Sequence, residues 1–203
     1  MIEQTCALFA GRVILASSSP RRQEIIKKLG FNVEIVPSQY NENLERSKYN
    51  NHGDYIKDLA KLKVLDVYER LKNDKISPKL IIGADTLVCL DNVIFGKPKD
   101  KNDAFRMLSC LNNKVHTVFT GVCLKTPTKE VTFYETTDVK FGNLTENQIN
   151  AYIKTGEPLD KAGGYGIQGV GGCLVEKING DYYTVMGLPL YSVIKHLNNL
   201  SDD

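Results

Sequence analysis

Residues 13–30 read VILASSSPRRQEIIKKLG: an apolar run, a polar turn and an amphipathic segment that ends in glycine. The apolar run over residues 13–16 predicts a short buried strand. Ser19 suits the N-cap of the following helix, Pro20 its first position, and Gly30 the position just past its end. The stretch therefore predicts a strand that turns directly into a helix, which is a building unit of α/β folds.

The remaining sequence continues this alternation of strands and helices. Further strands are expected over residues 31–36, 80–84, 87–90, 93–95, 115–125 and 130–141. Further helices are expected from an Asp54 cap to Leu71, over residues 102–111, from a Thr145 cap to just before Gly156, and from Pro189 onward. The order predicts a mixed α/β fold, although it is too irregular to indicate a Rossmann sheet.

Composition places the chain among ordinary globular proteins. Its 203 residues are 42% hydrophobic and 25% charged, which excludes disordered, collagen-like and disulfide-scaffold classes. The length suits one large domain or two small lobes. Because no repeat or linker is visible, we predict a single domain over residues 1–203, with residues 1–11 and 199–203 as terminal tails.

Charge and cysteine usage limit the partners and the compartment. Twenty-six basic and twenty-four acidic residues give a net charge of +2, too little to attract nucleic acid or a membrane surface, so any anion site must be built locally. The five cysteines are odd in number and widely spaced, which favours buried free thiols over a disulfide framework or a zinc site. No apolar run is long enough for a membrane span, and the first residues lack a signal-peptide pattern. We expect a cytoplasmic protein.

The first turn is a candidate anion site. Ser17, Ser18 and Ser19 supply hydroxyls, and the start of the helix supplies unpaired backbone N–H groups. Arg21 and Arg22 place positive charge at the positive end of the helix dipole, which is unfavourable. A bound triphosphate would compensate this positive charge. The alternative is a serine-capped helix with solvated arginines. The segment is not a P-loop.

Asp85, Lys63 and Lys97 are candidates for phosphoanhydride chemistry. Asp85 follows an apolar strand, the position at which open α/β sheets carry catalytic groups, and it could hold a divalent cation or orient a water. A turn aspartate that caps its own backbone is an equally good interpretation. Lys63 borders the apolar stripe of its helix, where a charge needs a partner unless it snorkels to solvent. Lys97, taken alone, is typical of a surface lysine.

Glycine is concentrated in one part of the chain. Nine of the sixteen glycines fall between Gly156 and Gly187. Such a density permits tight turns and close approach of a ligand to the backbone. Within it, Gln168 offers a donor and an acceptor without charge, which suits the imide edge of uracil or thymine. A flexible loop is the alternative. The three histidines are scattered and predict neither a metal site nor a catalytic triad.

Three separated blocks resemble the signatures of the Maf family of nucleoside triphosphate pyrophosphatases. They read LASSSPRRQE over residues 15–24, GADT over 83–86 with KP at 97–98, and EPLDKAGGYGIQG over 157–169. The resemblance runs from Arg12 to Leu197 and is best for the subgroup that acts on dTTP and UTP. It implies an elongated, two-lobed mixed sheet with flanking helices and a central cleft, as in inosine triphosphate pyrophosphatases, and a homodimer.

The resemblance also implies a reaction and a set of site residues. The reaction is hydrolysis of a nucleoside triphosphate to the monophosphate and pyrophosphate with a divalent cation, Mg²⁺ or Mn²⁺. Asp85 matches the proton acceptor, and it is expected to bind the metal with Glu34. The positions that select the base are Arg21, Thr86 and Gln168, and those that line the phosphate site are Ser17, Arg22, Lys63 and Lys97. Whether Asp85 is base, metal ligand or both stays open.

The sequence is also compatible with three other functions. The same chemistry could act on 7-methyl-GTP or inosine triphosphate, against which Arg21 and Gln168 argue. The chain could be a non-catalytic nucleotide-binding regulator of cell division, against which Asp85, Lys97 and Arg22 argue. Nucleic-acid binding through the Ser-Pro-Arg-Arg segment is disfavoured by the nearly neutral charge.

Overall fold

A computed structural model describes residues 9–41 and 43–201 of the chain. Its strands are β1 (Val13–Leu15), β2 (Val33–Ile35), β3 (Leu80–Leu90), β4 (Val93–Phe95), β5 (Val115–Lys125), β6 (Glu130–Phe141) and β7 (Val175–Gly180). Its α-helices are α1 (Pro20–Lys28), α2 (His52–Leu71), α3 (Lys101–Leu111), α4 (Glu146–Lys154), α5 (Tyr182–Met186) and α6 (Leu190–Ser201). Short 3-10 helices cover Arg46–Lys48, Glu157–Asp160, Ala162–Gly164 and Val170–Leu174.

The strands of the described residues form one mixed sheet of seven. Their order is β2-β1-β3-β5-β6-β7, and β4 pairs with β3. β1 is parallel to both of its neighbours, with Leu15 opposite Ile35 of β2 and Ile82 of β3. β4 is antiparallel to β3, and β7 is antiparallel to β6. The predicted mixed α/β fold is confirmed.

The chain divides into two compact units, each assembled from several segments. The first comprises Met1–Asp85, Thr120–Glu135 and Gly187–Asp203, and the second comprises Thr86–Phe119 and Thr136–Met186. β3, β5 and β6 each begin in one unit and end in the other. Because the chain changes unit inside strands, no linker marks the division in the sequence.

In the first unit, α2 packs on the sheet through the predicted apolar stripe. Ile56, Ala60, Val64 and Val67 are buried, whereas Leu71 is only partly so. The helix starts earlier than expected, since Asn51 and not Asp54 is its N-cap. The Asn51 side chain accepts a hydrogen bond from the Asp54 backbone N–H at 2.7 Å. Asp54 lies in the first turn, where a carboxylate favours the positive end of the helix dipole.

β3 corrects the prediction that a strand ends at Asp85. One strand of eleven residues runs through Asp85 and Thr86 and includes the predicted strand over 87–90. The strand continues because its last residues pair with β4, where Val88 lies opposite Phe95. The Asp85 carboxylate lies within it, 3.0 Å from the Lys63 ammonium. The hairpin from β3 to β4 is as predicted, with Asp91 and Asn92 at φ values of 49° and 65°, the left-handed conformation of a type I′ turn.

In the second unit, α3 and α4 cover an apolar core that includes Leu108, Phe141 and Ile153. The predicted capping box of α4 is present, because Thr145 and Gln148 bond each other's backbone N–H groups. β7 and α5 are absent from the prediction. β7 has no buried residue, so its sequence carries little apolar alternation, and pairing with β6 defines it as a strand.

Two smaller expectations also change. α6 continues to Ser201, past the predicted boundary of the terminal tail at Asn199, and Phe9 is buried although it was assigned to the N-terminal tail. Cys89 and Cys123 are buried free thiols as expected, but Cys110 is only partly buried and Cys173 is exposed. Cys6 lies outside the described residues. Across the described residues, none of the helices combines the length and apolar character needed to cross a bilayer.

His116 is buried in the second unit between aromatic rings. It is 1% exposed, its Nε2 lies 2.8 Å from the Tyr165 hydroxyl, and its ring meets those of Tyr165 and Phe141 edge to face. Within the described residues, its Nδ1 has no hydrogen-bond partner. Burial lowers the pKa of His116 from its ordinary value of 6.5 to about 4.

This burial predicts a loss of stability in acid. Between pH 6.5 and 4 the unfolded chain binds a proton at His116 that the folded chain does not, so the free energy of unfolding falls as the pH falls. We expect the wild type to lose about 3 kcal/mol more than His116→Gln between pH 7 and pH 4. Urea unfolding over this range measures the difference. Burial also lowers the pKa of half-buried His196, so the loss in His196→Gln should lie between those of the wild type and His116→Gln. Equal losses in wild type and His116→Gln would contradict the prediction.

Candidate active site

The turn from β1 to α1 folds as its sequence predicts. The Ser19 side chain caps α1 by accepting the Arg22 backbone N–H, with Pro20 at the first helical position. Ser17 is buried, and its hydroxyl accepts the Ser19 backbone N–H at 3.2 Å. The first turn of α1 contains no acidic residue. The start of α1 therefore presents backbone donors together with Arg21 and Arg22, which suits an anionic group.

Arg22 is held in place from two sides. Its Nη1 donates to the Ser17 hydroxyl at 3.2 Å, and its Nε donates to the Gly187 carbonyl at 2.8 Å. Gly187 has a φ of 103°, a backbone conformation that favours glycine. The guanidinium is thus fixed beside the N-terminus of α1, and a fixed planar fork of donors suits phosphate oxygens.

Lys63 of α2 and Asp85 of β3 form a largely buried ion pair. The Lys63 Nζ lies 3.0 Å from the Asp85 Oδ2, and the two side chains are only 16% and 18% exposed. Lys63 borders the apolar stripe of α2, where its charge needs a partner, and the Asp85 carboxylate is that partner.

Gly83 explains why the two charges meet. A Cβ on Gly83 would lie 2.4 Å from the Val64 Cγ2, so glycine permits α2 to approach β3. Gly83 and Asp85 face the same side of β3, because side chains alternate along a strand. Lys63, next to Val64 on the helix, therefore comes within reach of Asp85.

The sheet register places this pair and the α1 turn at the same end of the first unit. β1 and β3 are parallel, with Leu15 opposite Ile82. Ser17 lies two residues past Leu15, and Asp85 lies three residues past Ile82. β1 ends there while β3 continues, so the residues that follow Leu15 lie beside those that follow Ile82 in β3. The first unit thus combines an anion-binding turn with a carboxylate and an ammonium.

In the second unit, the segment of Lys97 adjoins the glycine-rich block. The Gly163 backbone N–H donates to the Gly96 carbonyl at 3.0 Å. A Cβ on Gly163 would lie 2.8 Å from the Val88 Cγ2. Thr86, two residues before Val88, faces the same side of β3. Lys97 is exposed and follows Gly96, and Thr86 is half-buried on the strand face that carries Val88. The residues that contact the glycine-rich block are Gly96 and Val88.

Gln168 is exposed in the turn between two short helices of the same block. The Gly169 backbone N–H donates to the Gly166 carbonyl at 3.3 Å, which closes the chain around Gln168. The segment is an ordered turn with an exposed amide, and the alternative of a flexible loop is not supported. The side chains that bond the backbone of this turn are Glu157 and Tyr152, two residues to which the sequence patterns assigned no role.

Glu34 does not join Asp85 as a metal ligand. It bonds Arg12 at 2.7 Å, and this hydrogen bond lowers the pKa of the Glu34 carboxyl. Glu34 is opposite Ile14, which is opposite Ile81. Asp85 therefore lies four residues, or about 13 Å, farther along the sheet.

The described residues do not build a metal centre of protein ligands alone, since no group of three or more His, Cys, Asp or Glu side chains within 9–41 and 43–201 could hold an ion. One carboxylate still fits a cation that arrives with a triphosphate, because Mg²⁺ usually takes one or two carboxylates and completes its shell with phosphate oxygens and water. Asp85 is the residue that fits this arrangement.

Comparison with known proteins agrees with these features. Residues 12–200 match the family model described as Maf-like protein. A dTTP/UTP pyrophosphatase of Bacillus pumilus is 44% identical, covering 92% of this chain and 95% of the relative. A dTTP/UTP pyrophosphatase of Aquifex aeolicus is also 44% identical, covering 94% and 97%.

A human relative, a probable bifunctional dTTP/UTP pyrophosphatase/methyltransferase protein, is 46% identical over 93% of this chain. The chain spans about a third of that protein, 32% of its length. Among solved structures, the Staphylococcus aureus Ham1 protein matches with a TM-score of 0.42 and 13% identity, covering 64% of this chain and 71% of Ham1.

The ion pair predicts a measurable coupling between Lys63 and Asp85. Removal of one partner leaves the other charge in a largely buried position, so each single variant should lose stability and the double variant should lose less than the sum. For Lys63→Met and Asp85→Asn we expect a coupling energy of about 1–3 kcal/mol from urea unfolding of the four proteins. Additivity to within about 0.4 kcal/mol would contradict the pairing.

Proposed function

Because this chain belongs to the Maf-like protein family, we propose that it hydrolyses dTTP and UTP to the nucleoside monophosphate and pyrophosphate. Bacterial relatives named for this activity match it over nearly the full length of both chains, which supports the proposal. The observation that carries it is the buried pair of Lys63 and Asp85 next to the serine and arginine turn. A carboxylate beside an anion site is what water attack on a phosphoanhydride requires.

The first unit supplies cations for the triphosphate. Ser17 and the start of α1 would donate hydrogen bonds to phosphate oxygens, and Arg22 would make charge-assisted bonds from its fixed position. Lys63 compensates Asp85 before substrate binds, and its flexible ammonium can turn to a phosphate oxygen afterwards. Lys97 of the second unit is the other lysine proposed for the phosphates. Such contacts serve catalysis when they strengthen as charge develops on the leaving pyrophosphate.

Asp85 is the residue proposed to activate water. Its carboxylate would accept a proton from a water whose oxygen attacks the α-phosphorus. The new bond joins that oxygen to the α-phosphorus, and the bond from the α-phosphorus to the bridging oxygen breaks. Pyrophosphate then leaves with the electron pair of the broken bond. A divalent cation, Mg²⁺ or Mn²⁺, held by Asp85 and phosphate oxygens would supply further charge neutralisation.

The second unit supplies groups for base selection. The exposed amide of Gln168 can donate to one carbonyl of a pyrimidine and accept from its ring N–H. Thr86, together with Arg21 of the first unit, is proposed to add to this selection. A purine would leave such polar groups unpaired, at a cost of about 1–3 kcal/mol each.

The proposal extends to assembly and location. A homodimer in the cytoplasm, with no nucleic-acid or membrane partner, agrees with the family resemblance, the cysteine usage and a net charge of +2.

A panel of triphosphates tests the activity and the role of Asp85 together. Pyrophosphate release is measured for dTTP, UTP, CTP, GTP, inosine triphosphate and 7-methyl-GTP, each with Mg²⁺, with Mn²⁺ and with a chelator. We expect kcat/KM for UTP and dTTP to exceed that for the purine nucleotides by about tenfold or more. Asp85→Asn should lower kcat by about 100-fold or more, the usual contribution of a general base.

Asp91→Asn is the matched control, because it makes the same chemical change in an exposed turn where asparagine also fits the backbone. It should keep wild-type activity. Preference for 7-methyl-GTP or inosine triphosphate would reject the base assignment. Nucleotide binding without turnover would indicate a regulator, and full turnover in Asp85→Asn would reject the mechanism.

A further inference from the structure

The Glu157 carboxylate accepts three hydrogen bonds inside the glycine-rich block. Its Oε2 accepts the Val170 backbone N–H at 2.9 Å, and its Oε1 accepts the Gly171 backbone N–H at 3.1 Å. The Tyr152 hydroxyl also donates to Oε1, at 3.1 Å. Both carboxylate oxygens are therefore committed to the segment that follows Gln168, and bonds to an ionised acceptor are stronger than neutral ones.

Tyr152 holds the segment that precedes Gln168. Its hydroxyl accepts the Gly166 backbone N–H at 3.2 Å while donating to Glu157. The side chain is 3% exposed, and burial raises the pKa of Tyr152, so the hydroxyl keeps its proton at neutral pH and remains a donor. A single hydrogen-bonded pair thus fixes both ends of the turn that carries Gln168.

The glycines of the turn leave room for this pair. A Cβ on Gly169 would lie 2.5 Å from the Glu157 Oε2, and a Cβ on Gly171 would lie 2.6 Å from the Tyr152 hydroxyl oxygen. Any larger residue at either position would displace the pair or the turn. The dense glycines are therefore explained here by close packing of the backbone around a carboxylate and a hydroxyl, and not by flexibility.

We propose that Glu157 and Tyr152 are positioning residues that set the direction of the Gln168 amide and thereby the base selectivity of the enzyme. This inference rests on the proposed function, in which Gln168 reads the base. Glu157 and Tyr152 themselves act through the backbone of residues 166–171 and take no part in the proton transfer. Their loss should affect substrate choice and KM more than kcat, because the base makes the same contacts in the ground state and the transition state.

Glu157→Gln tests the inference most sharply. The amide retains one acceptor oxygen and presents an NH₂ group to backbone donors that two oxygens satisfied before, so the turn must rearrange. We expect KM for UTP to rise about tenfold, kcat to change less than about threefold, and the kcat/KM ratio of UTP to inosine triphosphate to fall about tenfold. Tyr152→Phe keeps the ring packing and removes only the hydroxyl, so it gives the same readout if Glu157→Gln does not fold.

Matched controls and a double variant distinguish an effect on the position of Gln168 from a non-specific loss of structure. Glu146→Gln and Tyr191→Phe change the same groups at exposed positions and should behave as the wild type. If Glu157 acts through Gln168, then Glu157→Gln should add little to the selectivity loss of Gln168→Ala.

Three results would overturn the inference: unchanged selectivity in both folded variants, a uniform loss of kcat for every substrate, or additive losses with Gln168→Ala. The proposed function fails by a different result: the wild type then releases no pyrophosphate from UTP or dTTP. In that case the selectivity ratio is measured between the two triphosphates of the panel that are hydrolysed fastest, and the same three outcomes apply.

Discussion

The close packing of α2 on β3 at Gly83 is the constraint on which the proposed chemistry depends. A methyl group at this position would collide with Val64, so a side chain there would push the helix and its Lys63 away from Asp85. With glycine, the ammonium lies 3.0 Å from the carboxylate, and each charge offsets the cost of burying the other. An ionised carboxylate can therefore lie in the middle of an eleven-residue strand, beside the turn where Ser17 fixes Arg22.

Local sequence signals predicted most of the fold. The cap at Ser19, the stripe of α2, the hairpin at Asp91 and the capping box at Thr145 involve residues close together in the chain, and each is present. Elements defined by distant partners were not predicted. β7 is a strand because β6 pairs with it, and β3 runs unbroken through Asp85 as a strand that lies between β1 and β5 in the sheet.

The sequence was enough to predict which residue types belong to the candidate site, but not which residues they bond. The hydroxyls, arginines and carboxylate could be picked out because their chemistry suits phosphates, whereas the bond from Arg22 to Gly187 joins residues 165 positions apart. Glu34 shows the opposite failure: an acidic residue in a suitable place along the chain turned out to pair with Arg12 and to lie away from Asp85. Glu157 lay within a recognised block, but only the structure reveals that its carboxylate fills the turn around Gln168.

In the proposed reaction, water attacks the α-phosphorus of a pyrimidine nucleoside triphosphate, and the bond to the departing pyrophosphate breaks. Hydrolysis of UTP in water enriched in oxygen-18, with Mg²⁺ present and the products analysed by mass spectrometry, tests it most directly. We expect the wild type to place one labelled oxygen in uridine monophosphate and none in pyrophosphate. Label in the pyrophosphate, or formation of uridine diphosphate and phosphate, would contradict the proposed reaction.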